Sequence, residues 1–433
     1  MPSGRAISPG PSLAPRRILL VDADAFFVAV ARLEDPEGAG RAPLLIVGGR
    51  PGSRGVVCSA SYECRAFGVR SAMPIARALA LCPTAMCVPV PRGACSRRSR
   101  EIAVVLSRFA PVVQASSIDE WYCDMGGTEA LYAHEPLAVT AHRIRRAVFE
   151  ETGLSVSIGG GTSRLVAKMA VEAAKPKPGS GADGVRCVEA GDEAPFLAPF
   201  RLGDLPMVGP KFATKLETFG LFTIADAQAW DRDALVRRLG TRSGEWLHWR
   251  VRGIDDSVVH ARDVQKQVSR EDTFAHDLHE DPDLERELLR LAVRVSADLR
   301  QQSLRARTVT VKLRDSDFRT RSAQRTLAKP IESEQSVVRV ARVLLRMLRA
   351  RRRVGVRLLG IALSHFADDA SPAAAQLALF ESTPTPTSDE PVEGEKDRAL
   401  TQALDRIRER YGKGAIVPAI LVDPGATGPR VEE

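Results

Sequence analysis

The stretch Arg17-Ile18-Leu19-Leu20-Val21-Asp22 is an aliphatic, β-branched run that stops at a carboxylate. Such a run reads as a buried strand delivering an acid at its end. A second run, Val112-Val113-Gln114-Ala115-Ser116-Ser117-Ile118, leads in the same way into Asp119 and Glu120. Three carboxylates at the ends of two strands suit a hard divalent cation, because Mg²⁺ takes oxygen ligands and is commonly shared with substrate phosphates. Tyr62 and Arg65 stand three apart, and Lys175 lies in a turn rich in lysine and glycine. Their hydroxyl, guanidinium and ammonium groups are the donors a triphosphate needs.

Outward from these strands, 44–47 reads as a strand ending in Gly48-Gly49, and 71–81, 96–109 and 136–152 have helical spacing. A strand over 154–158 and a helix over 163–174, entered through a flexible Gly159-Gly160-Gly161, complete an α/β core. After residue 175 the composition changes, and short helices surround Leu205-Pro206-Met207-Val208-Gly209-Pro210-Lys211. The segment 251–262 reads as a linker to a further α+β unit, with strands at 308–313 and 358–364 and helices near 283–302 and 332–349. Residues 1–16 and the Pro, Thr, Ser and Glu-rich 381–397 read as disordered, and 396–411 as a last helix.

The 433 residues carry 62 Lys plus Arg against 54 Asp plus Glu, a net +8. Residues 262–365 alone hold 23 basic and 14 acidic side chains, so the surplus is localised and points to a polyanionic partner. No run of about 18 uncharged apolar residues suggests a membrane span. Seven scattered cysteines without C-x-x-C spacing indicate neither a disulfide framework nor a zinc site, and a reduced cytoplasm is expected.

In order and spacing, Val21-Asp22-Ala23-Asp24-Ala25-Phe26-Phe27, Ser61-Tyr62-Glu63-Cys64-Arg65-Ala66-Phe67-Gly68-Val69, Ser71-Ala72-Met73-Pro74 and Ser117-Ile118-Asp119-Glu120 resemble the Y-family translesion DNA polymerases, bacterial DNA polymerase IV branch. The resemblance runs over about residues 17–366 and includes Ala167-Lys168, Ala174-Lys175-Pro176 and a helix-hairpin-helix at 205–211. It implies a right-hand polymerase of α/β and α+β domains: palm 17–25 and 92–183, fingers 26–91, helical thumb 184–250, little finger 263–366 and a tail 367–433. It also implies low-fidelity, template-directed addition of deoxynucleoside triphosphates to a primer 3′ end opposite damaged or stalled template, by two-metal phosphoryl transfer without a side-chain general base.

By the same resemblance, Asp22, Asp119, Glu120 and the Ala23 carbonyl are expected to hold two Mg²⁺ ions. Phe26, Phe27, Tyr62, Arg65 and Lys175 are expected at the nucleotide, with Phe27 as the steric gate against a 2′-hydroxyl. Asp24 is expected to point to the opposite side of the segment from Asp22. The basic quarter, densest at Arg349–Arg353, is expected along the phosphates of primer-template DNA. Ala375-Gln376-Leu377-Ala378-Leu379-Phe380 resembles the bacterial sliding-clamp peptide, with Gln376, Leu377, Leu379 and Phe380 filling the groove. A monomer without membrane attachment is expected. Departures from the family pattern are Arg164 for Lys, Ser163 for Asn, Cys95 for Tyr, Met207 for Gly, and Cys58 and Ser59 for alanines. Two other readings are weighed: a catalytically silent DNA- and clamp-binding accessory protein, and a phosphohydrolase of the haloacid dehalogenase type, which also opens on a strand and Asp-x-Asp.

Overall fold

The computed structural model describes residues 15–176, 181–261, 265–367, 393–412 and 414–421, and the chain divides near residue 263 into two compact units. In the first unit the order is β1 (Ile18–Ala23), α1 (Phe26–Glu34), β2 (Leu45–Gly48), β3 (Val57–Ala60), α2 (Tyr62–Ala66), α3 (Ile75–Leu81), β4 (Met86–Val88), α4 (Arg92–Leu106), β5 (Val112–Ala115) and β6 (Glu120–Asp124). Then come α5 (Leu137–Thr152), β7 (Val156–Gly161), α6 (Arg164–Ala174), β8 (Val185–Cys187), α7 (Glu193–Leu197), α8 (Pro210–Glu217), α9 (Ile224–Gln228), α10 (Arg232–Leu239) and α11 (Thr241–Arg250).

A sheet of order β5-β6-β1-β7-β8 centres on β1, which runs antiparallel to both β6 and β7. This is a mixed α+β layer, because only the β7–β8 pair is parallel. All six residues of β1 are buried, and they alternate between two cores. Leu19 and Val21 face Ile102, Leu106, Ile144 and Val148 of α4 and α5, while Ile18 and Leu20 face Ala167 and Val171 of α6. A smaller sheet, β3-β2-β4, carries α2 and α3, with Ile46 and Val57 of the sheet in one core with Cys64, Ile75 and Ala78 of the helices.

Three sequence expectations change here. Glu120 opens β6 rather than closing the strand before it, because the chain turns over residues 116–119 between β5 and β6. Gly159-Gly160-Gly161 is the buried end of β7, not a flexible entry to α6. A Cβ at Gly159 would lie 2.2 Å from the Ala167 carbonyl oxygen, and one at Gly161 would lie 2.4 Å from Val166 Cγ1. Only glycine lets α6 lie this close on the strand. Residues 251–261, read as a linker, are strapped to the sheet. Val259 joins the Ile18–Leu20 core, Arg164 donates to the Val258 carbonyl at 2.9 Å, and the His260 N–H donates to Gln114 at 3.1 Å.

The second unit holds β9 (Gln267–Leu278), α12 (Asp281–Gln301), β10 (Ala306–Asp315), β11 (Thr320–Ile331), α13 (Glu334–Arg351), β12 (Val356–Phe366) and α14 (Glu395–Tyr411). Its antiparallel sheet, β11-β10-β12-β9, buries one face under Leu284, Leu288, Leu291, Val295, Val340 and Leu344 of α12 and α13. The other face carries exposed small polar residues such as Ser269, Thr273, Ser322 and Gln324. Helix α14 docks on this unit: Arg300 grips Asp405 through Nε and Nη2 at 2.6 and 2.7 Å, and Arg408 meets Glu334 at 3.1 Å. The Glu393 carboxylate accepts the Ser333 N–H at 2.6 Å beside the start of α13. All seven cysteines are free thiols, and no helix among the described residues is long and apolar enough to cross a membrane.

Candidate active site

The register of β1 sets the site. Asp22 lies opposite Glu120 on β6 and opposite Ser157 on β7, so the three side chains share the face on which α6 packs. Helix α6 brings two cations to that face. Lys168 Nζ donates to Glu120 and lies 4.0 Å from Asp22, while Lys175, the residue that ends α6, reaches Asp22 at 3.2 Å and Glu172 at 2.8 Å. Asp22 is only 7% exposed, and burial, helped by the Glu120 charge, pushes its carboxyl up to about 7 against the pull of Lys175 and Lys168. Burial draws both ammonium groups down, but the acids outweigh it and hold them above their usual range.

Asp119 is tied to the same place by its backbone, since the Ala23 N–H donates to the Asp119 carbonyl at 2.9 Å. Its carboxylate folds back on the Ser117 hydroxyl. Asp22 and Glu120 are thus cross-strand neighbours, the Asp119 carboxylate is engaged by Ser117, and among the described residues no three acidic, His or Cys side chains converge tightly enough to hold a metal ion. The donor set at this strand end is nevertheless all hard oxygen, which is the chemistry a divalent cation such as Mg²⁺ takes.

Beyond β1 the chain makes a left-handed turn at Ala25 (φ 46°, ψ 44°) and enters α1. The Phe26 ring is buried at 2% exposure, so any contact it makes with a ligand is through its backbone N–H at the helix start. Phe27 is half-buried and meets the Phe26 ring edge-on at 5.6 Å. Tyr62 opens α2, which Ser61 caps by accepting the Cys64 N–H at 3.3 Å. The Arg65 guanidinium lies 5.1 Å over the Tyr62 ring, and its Nε donates to the Ala60 carbonyl at 3.0 Å. A pocket of about 260 Å³ joins Asp24, Ala25, Arg32, Tyr62, Ser155 and Pro176. Burial, then the Asp24 charge, raises the Tyr62 hydroxyl above its usual range.

Asp24 does not point away from Asp22. Residues two apart on an extended segment share a face, and Asp24 accepts from Ser157, the residue opposite Asp22. Sequence reasoning also gave Lys168 no role, although its place one turn after Arg164 and one before Glu172 on a helix packed against β1 aims it at the acids.

Of the substitutions flagged in the sequence, Ser163 and Arg164 have side-chain partners. Ser163 caps α6 by accepting the Val166 N–H at 3.2 Å and donates to the Gly253 carbonyl at 2.8 Å. Arg164 stacks 4.1 Å over the Tyr122 ring and donates to Gln114 at 2.9 Å. Cys95 is fully buried, its thiol pushed up to about 11 by burial. Cys58 is exposed on β3 while Ser59 is buried. Met207 adopts φ 74° with its side chain in solvent.

Much of the basic surplus in the second unit is internal. Arg349 is 5% exposed and donates to Asp281 and to the His279 and Val354 carbonyls, each at 2.7 Å. Arg352 is bound at 2.8 Å to both Asp315 and Asp317, and Arg321 to Asp315 at 2.8 Å. The dense run at 349–353 is therefore in large part a structural clasp. Arg307, Arg325 and Lys329 have no ion pair among the described residues. The peptide Gln376, Leu377, Leu379 and Phe380 lies outside the described residues.

Comparison with known proteins gives one answer. The impB/mucB/samB family matches residues 21–172, its C-terminal domain matches 265–379, and the thumb domain of DNA polymerase-iota matches 203–255. The DNA polymerase IV of Dehalococcoides mccartyi (strain CBDB1) is 34% identical over 93% of this chain and 96% of its own length. That of Methanoculleus marisnigri is 40% identical over 81% and 94%. Among solved structures, a Y-family DNA polymerase chimera has a TM-score of 0.71 at 22% identity, covering 81% of this chain and 98% of its own. An insertion ternary complex of Dbh DNA polymerase has a TM-score of 0.54 at 22% identity over the same shares. At that identity the two structures speak for the fold.

Proposed function

The chain belongs to the impB/mucB/samB family, the Y-family translesion DNA polymerases, and we propose that its nucleotidyl transfer takes place at the strand end carrying Asp22, Asp119 and Glu120. The carrying observation is the pairing of Asp22 with Glu120 across β1 and β6, beside two lysines from one helix. On this reading the acids and the Ala23 carbonyl hold divalent cations, and Mg²⁺ is the one their oxygen chemistry suits. Bound there, it would lower the pKa of the primer 3′-hydroxyl and offset charge on the leaving pyrophosphate.

The protein's own part is positioning. Lys168 and Lys175 pair with Glu120 and Asp22, and Lys175, with Tyr62 and Arg65, is placed to take a triphosphate once a cation draws the carboxylates away from it. The Phe27 ring stands as the gate against a 2′-hydroxyl, and the first N–H groups of α1, at Phe26 and Phe27, face phosphate oxygens. We assign 17–25 and 92–183 to the palm, 26–91 to the fingers, 184–250 to the thumb and 263–366 to the little finger. Primer-template DNA lies along the second unit and the thumb, and the sliding clamp takes Gln376, Leu377, Leu379 and Phe380. The protein acts as a cytoplasmic monomer.

The test is primer extension with each deoxynucleotide and Mg²⁺, comparing the wild type with Asp119→Ala at one salt concentration. Loss of extension with primer-template binding retained is the expected result. Equal extension by the variant would overturn the assignment of Asp119, and no extension by the wild type would favour the silent accessory reading.

A further inference from the structure

Asp24 has no place among the acids proposed to hold metal, yet its carboxylate is one of the most specifically held in the first unit. Oδ2 accepts from Ser155 Oγ at 2.8 Å and Oδ1 from Ser157 Oγ at 2.7 Å. The Asp24 N–H also donates to the Ser155 carbonyl at 2.9 Å, which carries the β1–β7 pairing one residue past the end of β1. Ser157 is fully buried, so its hydroxyl depends on this carboxylate.

The next residue, Ala25, takes a left-handed conformation that an L side chain enters at a cost. Helix α1 begins there with no side-chain cap, the Val28 and Ala29 N–H groups both donating to the Ala25 carbonyl at 2.8 and 3.0 Å. The axis of α1 is held by packing, with Phe26 and Val30 in the core of β1, α4 and α5 and Val28 and Ala31 against Leu45 and Val47. The uncapped turn that leads into it is held from the sheet side, where the Asp24 bridge ties the backbone just before Ala25 to the Ser155–Ser157 segment.

We infer that Asp24, clamped by Ser155 and Ser157, is a positioning residue for sugar selection: it locks the Ala25 turn and so holds Phe27 where it meets the sugar of the incoming nucleotide. The inference rests on the gate reading of Phe27 given above. The carboxylate touches no reacting atom in this role, and its effect is on geometry alone.

The experiment is steady-state insertion of a deoxynucleotide and of the matching ribonucleotide by the full chain, scored as the ratio of their kcat/KM values. The variants are Phe27→Ala, Asp24→Ala, Asp24→Asn, the pair Ser155→Ala with Ser157→Ala, and Asp24→Ala combined with Phe27→Ala, each checked for folding by its melting curve. Asp24→Ala and the serine pair are expected to lower the sugar ratio by about tenfold or more, since a small misplacement of a positioning group has effects of that order. Asp24→Asn, which keeps an acceptor for one serine and gives a donor to the other, is expected to stay within about threefold of wild type. In the Phe27→Ala background Asp24→Ala should change the ratio no further.

A sugar ratio unchanged in Asp24→Ala, or lowered equally whether Phe27 is present or not, overturns the inference. Should Phe27→Ala itself leave the ratio unchanged, the gate reading falls first and this inference with it. A merely structural Asp24 would lower the melting temperature and scale both nucleotides' rates together, leaving the ratio in place.

Discussion

Arg349 sits in the densest basic run of the chain, and its removal separates a DNA-gripping role from a structural one. Its guanidinium donates through Nε to Asp281, through Nη1 to the Val354 carbonyl and through Nη2 to the His279 carbonyl, each at 2.7 Å. The side chain is 6% exposed and Asp281 is 42% exposed. Arg349→Ala therefore leaves two part-buried carbonyls without their donor, while Asp281 recovers water. Bonds to a charged group contribute about 1.5–3 kcal/mol each, and breaking a buried charged cluster typically costs about 3–5 kcal/mol. With Asp281 rehydrated, the loss should be about 3 kcal/mol, equivalent to roughly 6–12 °C in the melting temperature of a unit this size. Arg353→Ala is the control, because that side chain is 76% exposed and 3.9 Å from Asp281, where ion pairs contribute little.

All four tryptophans lie at positions 121, 230, 246 and 249, so their fluorescence reports the first unit only. Unfolding of the second unit is followed instead by amide hydrogen exchange in β10 and β12 of the full chain. DNA affinity is measured against salt well below the melting range, where the variant is folded. A phosphate contact contributes about 0.9 to the slope of log affinity on log salt. The expected outcome is lost protection in β10 and β12 with the slope unchanged. Protection retained in Arg349→Ala together with a slope reduced by about one would refute the clasp.

Two further outcomes are expected. Met207→Gly should raise stability by about 0.5–1 kcal/mol, because Met207 holds φ 74° and is 87% exposed, so relieved backbone strain outweighs lost packing. The tryptophan-monitored denaturant midpoint should rise, and an unchanged or lower one would show that the turn is not strained. In metal-free protein Asp22 has a folded-state pKa raised from 3.8 to about 7, so the stability it contributes is present at low pH and lost as pH rises from about 4 through 7. With EDTA, the melting temperature of Asp22→Asn relative to wild type should accordingly climb between pH 5 and 8, and a difference flat across that range would place the carboxyl in an ordinary solvated setting.

Where the sequence carries a strong period, its reading and the structure coincide. The long amphipathic helices at α5, α12, α13 and α14 and the aliphatic run of β1 are all there within a few residues. Among the strands that escaped notice, β3, β4, β6 and β8 are only three to five residues long, and in β9 and β11 a buried residue alternates only loosely with charged ones. Gln267–Leu278 and Thr320–Ile331 bury few apolar side chains and depend on β12 and β10 for their pairing. The partner of β9 lies about ninety residues away and leaves no local mark, while β11 folds back on β10 in a hairpin whose strand is too polar to show a period. The glycines of β7 mislead for a related reason. Glycine is the residue of loops, but here it is demanded by a helix backbone lying against the strand, a tertiary contact that local preference does not register.

The acids and the cations around them show the same division. That Asp22 and Glu120 belong together is legible, because each adjoins an apolar run and strand pairing carries both to one end of the central β1–β6 ladder. Which cation serves the fold and which serves the ligand is not legible, because arginine count is blind to partners. Arg349 and Arg352 look like the strongest phosphate grip and are bound by Asp281, Asp315 and Asp317, acids that lie 35 to 68 positions away along the chain. Asp24 is the converse case. It looks idle beside Asp22, yet two serines brought in by β7 make it the fixed point of the turn. In each case the chemistry of a side chain follows from which strand edge or helix end is folded against it, so charge in this chain acquires its function only through register.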